Sequence, residues 1–329
     1  MGKGDIVLEE VRAFMKSRVI LTATQLDFFT RLYSGPATAL ELASAIRLDL
    51  RAATRILDCL VTLGLLEKQN GSYSLTESGS RLSSTHPESM RPMVMHMNDL
   101  WNSWSRLTDV VQHGPESQAK PGLEMDEENR KAFIGAMHVV ARTLSEDIAS
   151  GYDLSGFQKL LDIGGGSGTY TIAFLKKNPA MRAVLFDLPN VIPLAEARMA
   201  SEGLSGRVDF VRGDFYRDAL PSGCDLALLS AIIHQNSPAE NVTLYSKIHD
   251  ALAPGGVLLI RDHIMDEERT HPPEGALFAL NMLVNTRGGD TYTFDEVRDN
   301  LLAAGFVKPA VVRTGEHMDC LVEAVKPAQ

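Results

Sequence analysis

One stretch of the chain limits its fold more than any other: residues 160–171, LLDIGGGSGTYT. An apolar run ends in Asp162 and Ile163, the alternating Gly164, Gly166 and Gly168 follow, and the residues beyond read as a helix. Glycines at that spacing let a buried strand turn sharply into a helix and let a ligand approach the backbone with no Cβ in the way. Such a turn belongs to a parallel sheet covered by helices on both faces.

The C-terminal half keeps that pattern. Strand-like segments at 159–163, 183–187, 207–212, 224–230 and 256–262 alternate with helical ones at 168–178, 191–202 and 238–252. An insertion at 264–293 then precedes a helix over 294–304, and VVRTGEHMDCLVEAV reads as a closing antiparallel hairpin. The expected class is α/β, with a Rossmann-like sheet.

The loop also selects its ligand. A dinucleotide fingerprint has the form G-x-G-x-x-G, whereas here Thr169 stands where its third glycine belongs, and no Lys/Arg cluster flanks the loop. Asp162, just before the turn, repels phosphate but suits a cationic amino-acid headgroup. S-adenosylmethionine carries an ammonium and a sulfonium and no phosphate, so it fits better than a dinucleotide. Asp187, at the end of the second strand and followed by Leu188, is placed to take both hydroxyls of a ribose. Asp214 follows the third strand and adjoins Phe215, a pairing suited to an adenine amino group and its ring face. Three acids at the carboxyl ends of consecutive strands mark the edge where open α/β sheets bind ligands. The fourth strand ends near His234 on the same edge, where a neutral imidazole suits a general base.

The N-terminal part reads differently. Apolar residues from Val7 to Leu26 recur near helical spacing and suggest short helices. Two short helices broken near Arg47–Asp49, a longer helix ending at Gly64 and a hairpin at Asn70-Gly71 form the pattern of a winged helix. Such a unit binds DNA or pairs chains. Its first 90 residues hold ten Lys/Arg and ten Asp/Glu, and the whole chain carries a formal charge of -10. Phosphate contacts demand a basic surface, so the expectation is dimerisation, with no nucleic-acid partner. Residues 88–150 read as longer helices interrupted by a Pro/Gly-containing loop at 115–122, with Trp101 and Trp104 on one face.

Length suits more than one domain: 329 residues, expected to divide at 1–90, 91–154 and 155–329. Three widely spaced cysteines suggest neither a disulfide framework nor a zinc site. Met1 to Asp5 runs directly into an amphipathic stretch, and no apolar run approaches the ~18 residues of a membrane span. A cytoplasmic protein bound to no membrane is expected.

Several motifs together, LDIGGGSGTY, FDLPNVI, GDFY, LLSAIIHQN, ALAPGGVLLI and GGDTYTFDEVRDNLLAAGF, resemble the class I S-adenosylmethionine-dependent O-methyltransferases. Within them the chain is similar to the group containing plant caffeate and flavonoid, animal hydroxyindole and bacterial polyketide enzymes. The resemblance spans nearly the whole chain. It implies a homodimer through the winged helix and metal-independent methyl transfer to a hydroxyl of a small aromatic or polyketide-like molecule. It implies His234 as base, with Asp262 or Asp290 as its acidic helper. Asp162, Gly164, Gly166, Asp187, Leu188, Asp214, Phe215 and Ser230 would hold the cofactor. Trp101, Phe133, Met137 and His138, with Phe278, Asn281 and Met282 of the insertion, would wall the acceptor pocket.

The chain departs from the plant pattern: Gln235-Asn236 follows the histidine in place of Asp-Trp, and Ser230 stands where those enzymes have a lysine. Their acid after the fifth strand falls where this chain has Arg261 and then Asp262, and their second acid falls near Thr291, with Asp290 beside it. Those departures leave room for a relative that binds the cofactor and does other chemistry. A ligand-sensing winged-helix regulator is a further alternative. A magnesium-dependent enzyme needs clustered oxygen ligands, and no acid ends the fourth strand.

Overall fold

The computed structural model describes residues 3–115 and 127–328. Residues 116–122 of the expected loop lie outside the described residues, as does the Phe133 side chain. The chain divides into two units: Met1–Trp101 with Asp126–Val139, and Asn102–Met125 with Val140–Gln329.

The first unit begins with α1 (Lys3–Gln25), one long helix where short ones are expected. Neither Gly nor Pro interrupts Asp5–Gln25, so nothing breaks the backbone ladder. Ile6, Val7, Leu8, Val11, Phe14 and Met15 are all more than half exposed on it. α2 (Phe28–Tyr33), β1 (Ala37–Thr38), α3 (Ala39–Ala45), α4 (Leu50–Thr62), β2 (Leu66–Gln69), β3 (Ser72–Leu75) and α5 (Glu77–Ser80) complete the winged-helix pattern. Thr38 and Glu41 form a reciprocal cap on α3, and Asp49 caps α4. Asn70 and Gly71 both adopt positive φ, as a two-residue hairpin turn requires. Phe28, Phe29, Leu57, Leu60 and Tyr73 fill the core beneath. α6 (Arg91–Trp104), α7 (Leu107–His113) and α8 (Glu127–Gly151) follow.

The second unit holds a seven-stranded sheet. Its strands are β4 (Lys159–Ile163), β5 (Arg182–Asp187), β6 (Val208–Arg212), β7 (Cys224–Ser230) and β8 (Leu252–Asp262), with β11 (Val307–Arg313) and β12 (Cys320–Val325). The order is β11-β12-β8-β7-β4-β5-β6. β4 to β8 pair in parallel, while β12 runs antiparallel to β8 and to β11, the expected closing hairpin. α9 (Thr169–Lys177) and α10 (Ile192–Ser201) pack with the end of α8 on one face, over Leu160, Leu185, Leu228 and Leu259. α11 (Pro238–Ala251) and α13 (Phe294–Ala303) cover the other face, over Leu161, Ala227, Leu258 and Ile260. Two faces so covered explain the near-continuous apolar strands.

The insertion contains α12 (Pro273–Asn285) between the short parallel strands β9 (Ile264–Met265) and β10 (Tyr292–Thr293). Strand order reverses between β4 and β7, the switch point where an open α/β sheet forms its ligand crevice.

Candidate active site

The glycine loop lies at that switch point. Gly164, Gly166 and Gly168 all have positive φ, between 58° and 79°. A Cβ on Gly168 would stand 2.4 Å from the Met199 side chain, whereas one on Gly166 would meet nothing within 4 Å. The third glycine thus serves packing, and Gly166 presents its backbone to open space.

Asp187, at the end of β5, clamps this loop. Its Oδ2 accepts from the Gly166 N–H at 2.7 Å and its Oδ1 from the Leu188 N–H at 2.6 Å. Each oxygen keeps a further lone pair for a hydroxyl. Asp162 is buried, and its Oδ2 accepts from the Thr171 hydroxyl at 2.6 Å. Burial pushes the Asp187 carboxyl up to about 6 against the pull of the two N–H bonds. Burial also pushes Asp162 up to about 6; the Thr171 bond opposes this and the Asp187 charge adds to it. Two carboxylates held up in one crevice are a cradle for a cation. The open backbone of Gly166 and this acidic pair fit a cationic, phosphate-free nucleoside such as S-adenosylmethionine.

The remaining cofactor candidates fall on the same edge. Asp214 accepts from the Tyr216 N–H at 2.9 Å and lies 3.6 Å from the Nε of the exposed Arg217, a weak pair. The Phe215 ring packs 4.5 Å from Tyr216, and its edge lies 3.5 Å from where a Gly164 Cβ would stand. Ser230, the last residue of β7, accepts from Arg261 Nε at 2.8 Å.

Past Ser230 the chain turns through Ala231 at φ 57°, a left-handed conformation unusual for a residue with a Cβ. The turn delivers the 3₁₀ segment Ile233–Gln235. Nδ1 of His234 lies 2.9 Å from both oxygens of Asp262, the last residue of β8. The carboxylate accepts, so Nδ1 carries the proton and Nε2 keeps its lone pair. Burial would raise Asp262, but the neighbouring His234 and Arg261 and the His263 N–H outweigh it and hold the carboxyl low. The Phe278 ring of α12 stands edge-on to His234 at 4.9 Å and also packs 5.2 Å from His263.

The Asp290 carboxylate is engaged away from the His234–Asp262 contact. It lies 3.4 Å from Arg269 and accepts from the Thr291 N–H, while the Asp290 N–H donates to the His234 carbonyl at 2.9 Å. The two-residue departure after the histidine also has a structural role. Asn236 accepts from the Tyr216 hydroxyl at 2.5 Å and from the Tyr292 hydroxyl, and donates to Asn241 at 3.0 Å. Asn241 donates in turn to the Ile233 carbonyl. This buried network fixes the turn that carries His234.

The acceptor-wall candidates separate by unit. Trp101 lies under Arg18, 5.2 Å away, in the first unit, where Met137 and His138 are half-buried on α8. In the second unit, Asn281 accepts from Trp104 Nε1 at 3.0 Å, and Met282 is buried, its carbonyl closing α12 with Thr286. The sequence reading singles out neither Thr171, Tyr170 nor His263. Thr171 had a signal: it stands one turn into the helix that the Asp162 loop opens.

No helix is long and apolar enough to cross a membrane, and no group of three or more His, Cys, Asp or Glu could hold a metal ion, among the described residues.

Comparison with known proteins agrees with this geometry. The O-methyltransferase domain profile matches residues 104–307, and the O-methyltransferase dimerisation domain matches residues 8–85. The chain is 32% identical over 304 residues to 3-hydroxy-5-methyl-1-naphthoate 3-O-methyltransferase of Streptomyces sahachiroi, covering 91% of this chain and 88% of that one. It is 32% identical over 315 residues to the tetracenomycin polyketide synthesis 8-O-methyl transferase of Streptomyces glaucescens, covering 93% and 91%. The crystal structure of human N-acetylserotonin methyltransferase in complex with S-adenosylmethionine aligns over 99% of this chain and 100% of its own, with a TM-score of 0.84 at 27% identity. The chain therefore belongs to the S-adenosylmethionine-dependent O-methyltransferase family, and it is an enzyme of that kind.

Proposed function

We propose that His234 is the general base that takes the proton from an acceptor hydroxyl, with Asp262 as the residue that orients it. The observation that carries this reading is the Nδ1–carboxylate contact at 2.9 Å on the edge that bears the glycine loop. Bound S-adenosylmethionine supplies an electrophilic methyl group on sulfur. Nε2 of His234 accepts the hydroxyl proton, and the carboxylate stabilises the imidazolium that results. Asp187 would bind the ribose hydroxyls and Asp162 the amino-acid end, with Leu188, Asp214 and Phe215 on the adenine side. Asp290 serves through its backbone.

The acceptor we infer is a hydroxylated aromatic or polyketide-like molecule. The names of the two Streptomyces relatives support this, as does the Phe278 ring beside His234. A metal-independent reaction follows from using an imidazole as base. The first unit pairs two chains rather than binding DNA: in the helix where a DNA reader carries basic residues, Arg55 lies 3.4 Å from Asp58. Three free cysteines support a reducing, cytoplasmic setting. A labelled-methyl screen over phenols, naphthols and aromatic polyketides tests the reading. Turnover of at least one, abolished in His234→Ala, is expected; label transfer that is indifferent to His234 would overturn it.

A further inference from the structure

Gln235 and Asn236, the two residues that replace the plant-type Asp-Trp, meet at one hydroxyl. Asn236 is fully buried and Gln235 only 7% exposed, so both amides need partners within the protein. Asn236 Oδ1 accepts from the Tyr216 hydroxyl at 2.5 Å, and the Gln235 side chain is a second hydrogen-bond partner of that hydroxyl. The direction of these bonds is set from one end. The Ile233 carbonyl can only accept, so Asn241 turns its amide nitrogen to it at 3.0 Å and its oxygen to the Asn236 nitrogen, also at 3.0 Å. That leaves the Asn236 oxygen for Tyr216, whose hydroxyl must donate and whose oxygen then accepts from the Gln235 amide. One chain of bonds therefore leaves the residue before His234 and returns to the two residues after it, and Tyr216 closes it.

Tyr216 belongs to a different segment. It follows β6, in the loop whose Asp214 and Phe215 stand on the adenine side of the cofactor reading. That loop is tightly held. The Gly213 N–H donates to the Asp187 carbonyl at 2.9 Å, Asp218 accepts from the Asp214 N–H at 2.8 Å, and Lys247 Nζ donates to the Phe215 carbonyl at 2.6 Å. The Phe215 and Tyr216 rings pack with centroids 4.5 Å apart. α11 anchors both segments, since Lys247 grips the cofactor loop and Asn241 the base turn. The loop thus carries an adenine-facing ring and a turn-holding hydroxyl on consecutive residues.

We propose that Tyr216 is a positioning residue that ties the base turn to the cofactor loop, so that a nucleoside held against Phe215 also holds the turn that carries His234. The inference rests on the cofactor and base readings and adds a coupling between them. Methyl transfer needs the base and the methyl group in register, and a misplacement of about 1 Å can cost about 10²-fold in rate. A hydroxyl shared between the two segments sets that register. It also gives Gln235 and Asn236 their role: together they form the receptor for Tyr216.

Hydrogen exchange read by mass spectrometry, with and without S-adenosylhomocysteine, tests this on the purified chain. The probe keeps the adenosine and amino-acid ends of the cofactor and needs no acceptor. At about 100 times its dissociation constant it is expected to slow exchange of wild-type residues 231–238 about 10- to 100-fold. Tyr216→Phe keeps the ring and removes the hydroxyl. In it the slowing at 231–238 should drop below about threefold, while slowing at the glycine loop, 164–171, persists and the dissociation constant from calorimetry stays within about threefold. Persistence at the glycine loop shows that the variant is folded and loaded. A hydroxyl that served structure alone would leave the ligand-induced slowing intact on a turn that exchanges faster throughout. That result, or a wild-type turn that the ligand does not slow, would overturn the assignment. Should Tyr216→Phe fail to bind the probe, Gln235→Met decides, because it removes one of the two links and leaves Asn236 in place. Partial loss of the slowing is expected there, and full slowing would overturn the assignment. If wild type does not bind S-adenosylhomocysteine, the cofactor reading itself fails, and this inference with it.

Discussion

Nδ1 of His234 lies 2.9 Å from each oxygen of Asp262, 28 residues later in the chain and on a neighbouring strand. A symmetric contact of this kind fixes both the tautomer and the plane of the imidazole. His234→Ala should therefore lower kcat about 10²- to 10⁴-fold, the usual contribution of a positioned base. Asp262→Asn should lower it about 10- to 100-fold by loosening the ring. Neither should move the dissociation constant of S-adenosylmethionine by more than about threefold, because alignment of the bound cofactor does not depend on the pair. A large change in cofactor binding with kcat intact would place His234 in the cofactor site instead.

The acidic pair gives the cofactor site a pH dependence. Asp162 and Asp187 are both held up to about 6 in the ligand-free protein, mainly by burial. Their folded values lie above the unfolded carboxylate value of 3.8. The folded state thus binds more protons, and these two groups make the ligand-free chain lose stability as pH rises from about 4 to about 6. A cation reverses the preference by favouring the ionised forms. Calorimetry should find S-adenosylmethionine binding weakening as pH falls from about 7 to about 5, and the thermal shift it produces should shrink over the same window. A dissociation constant flat across that range would show that neither carboxyl faces the cation.

Much of this site was legible in the sequence because the loop chemistry is local. Glycine spacing, the acid before it and the acids closing the next strands are short-range signals, and the structure places them on one sheet edge. The partner of His234 was only narrowed to two acids, since a 28-residue separation is bridged by strand order rather than by spacing. Asp290 is harder to place from sequence, because proximity in a motif does not say whether a residue contributes its side chain or its amide. Arg261 is visible in the sequence only as a neighbour of Asp262; its burial exists only once the strands are paired. The apolar residues of α1 recur near helical spacing, which signals helix but not its length. Its uninterrupted length follows from what is absent, a breaker.

α1 also carries a prediction about assembly. Val11 and Phe14 are more than half exposed on it, within the segment that matches the dimerisation domain. Apolar residues clustered in this way on a chain that folds with a core elsewhere mark a protein contact. Val11→Glu combined with Phe14→Glu should convert the dimer to monomer in size-exclusion chromatography with light scattering, while the monomer keeps the melting signature of the sheet. Persistence of a dimer in the double variant would move the interface away from α1.

Gly289 and Asp290 separate backbone from side chain at the active-site turn. A Cβ on Gly289 would stand 2.4 Å from the His234 carbonyl oxygen and 2.6 Å from Thr286 Oγ1, with no flexible atom to give way on the carbonyl side. The Asp290 N–H holds that same carbonyl at 2.9 Å, whereas the Asp290 carboxylate is half-exposed beside Arg269. Gly289→Ala must push the loop off the His234 turn, at a cost of about 1–3 kcal/mol in stability. Displacing the turn misaligns the base, so activity should fall by about 10²-fold even where the protein remains folded. Asp290→Asn keeps the amide and removes only an exposed charge, so stability should change by less than about 1 kcal/mol and kcat by less than about threefold. Thermal melts and steady-state turnover of the two variants decide the matter together. If Asp290→Asn proves the more damaging of the two, the carboxylate has a role in the chemistry that its contact with Arg269 does not express.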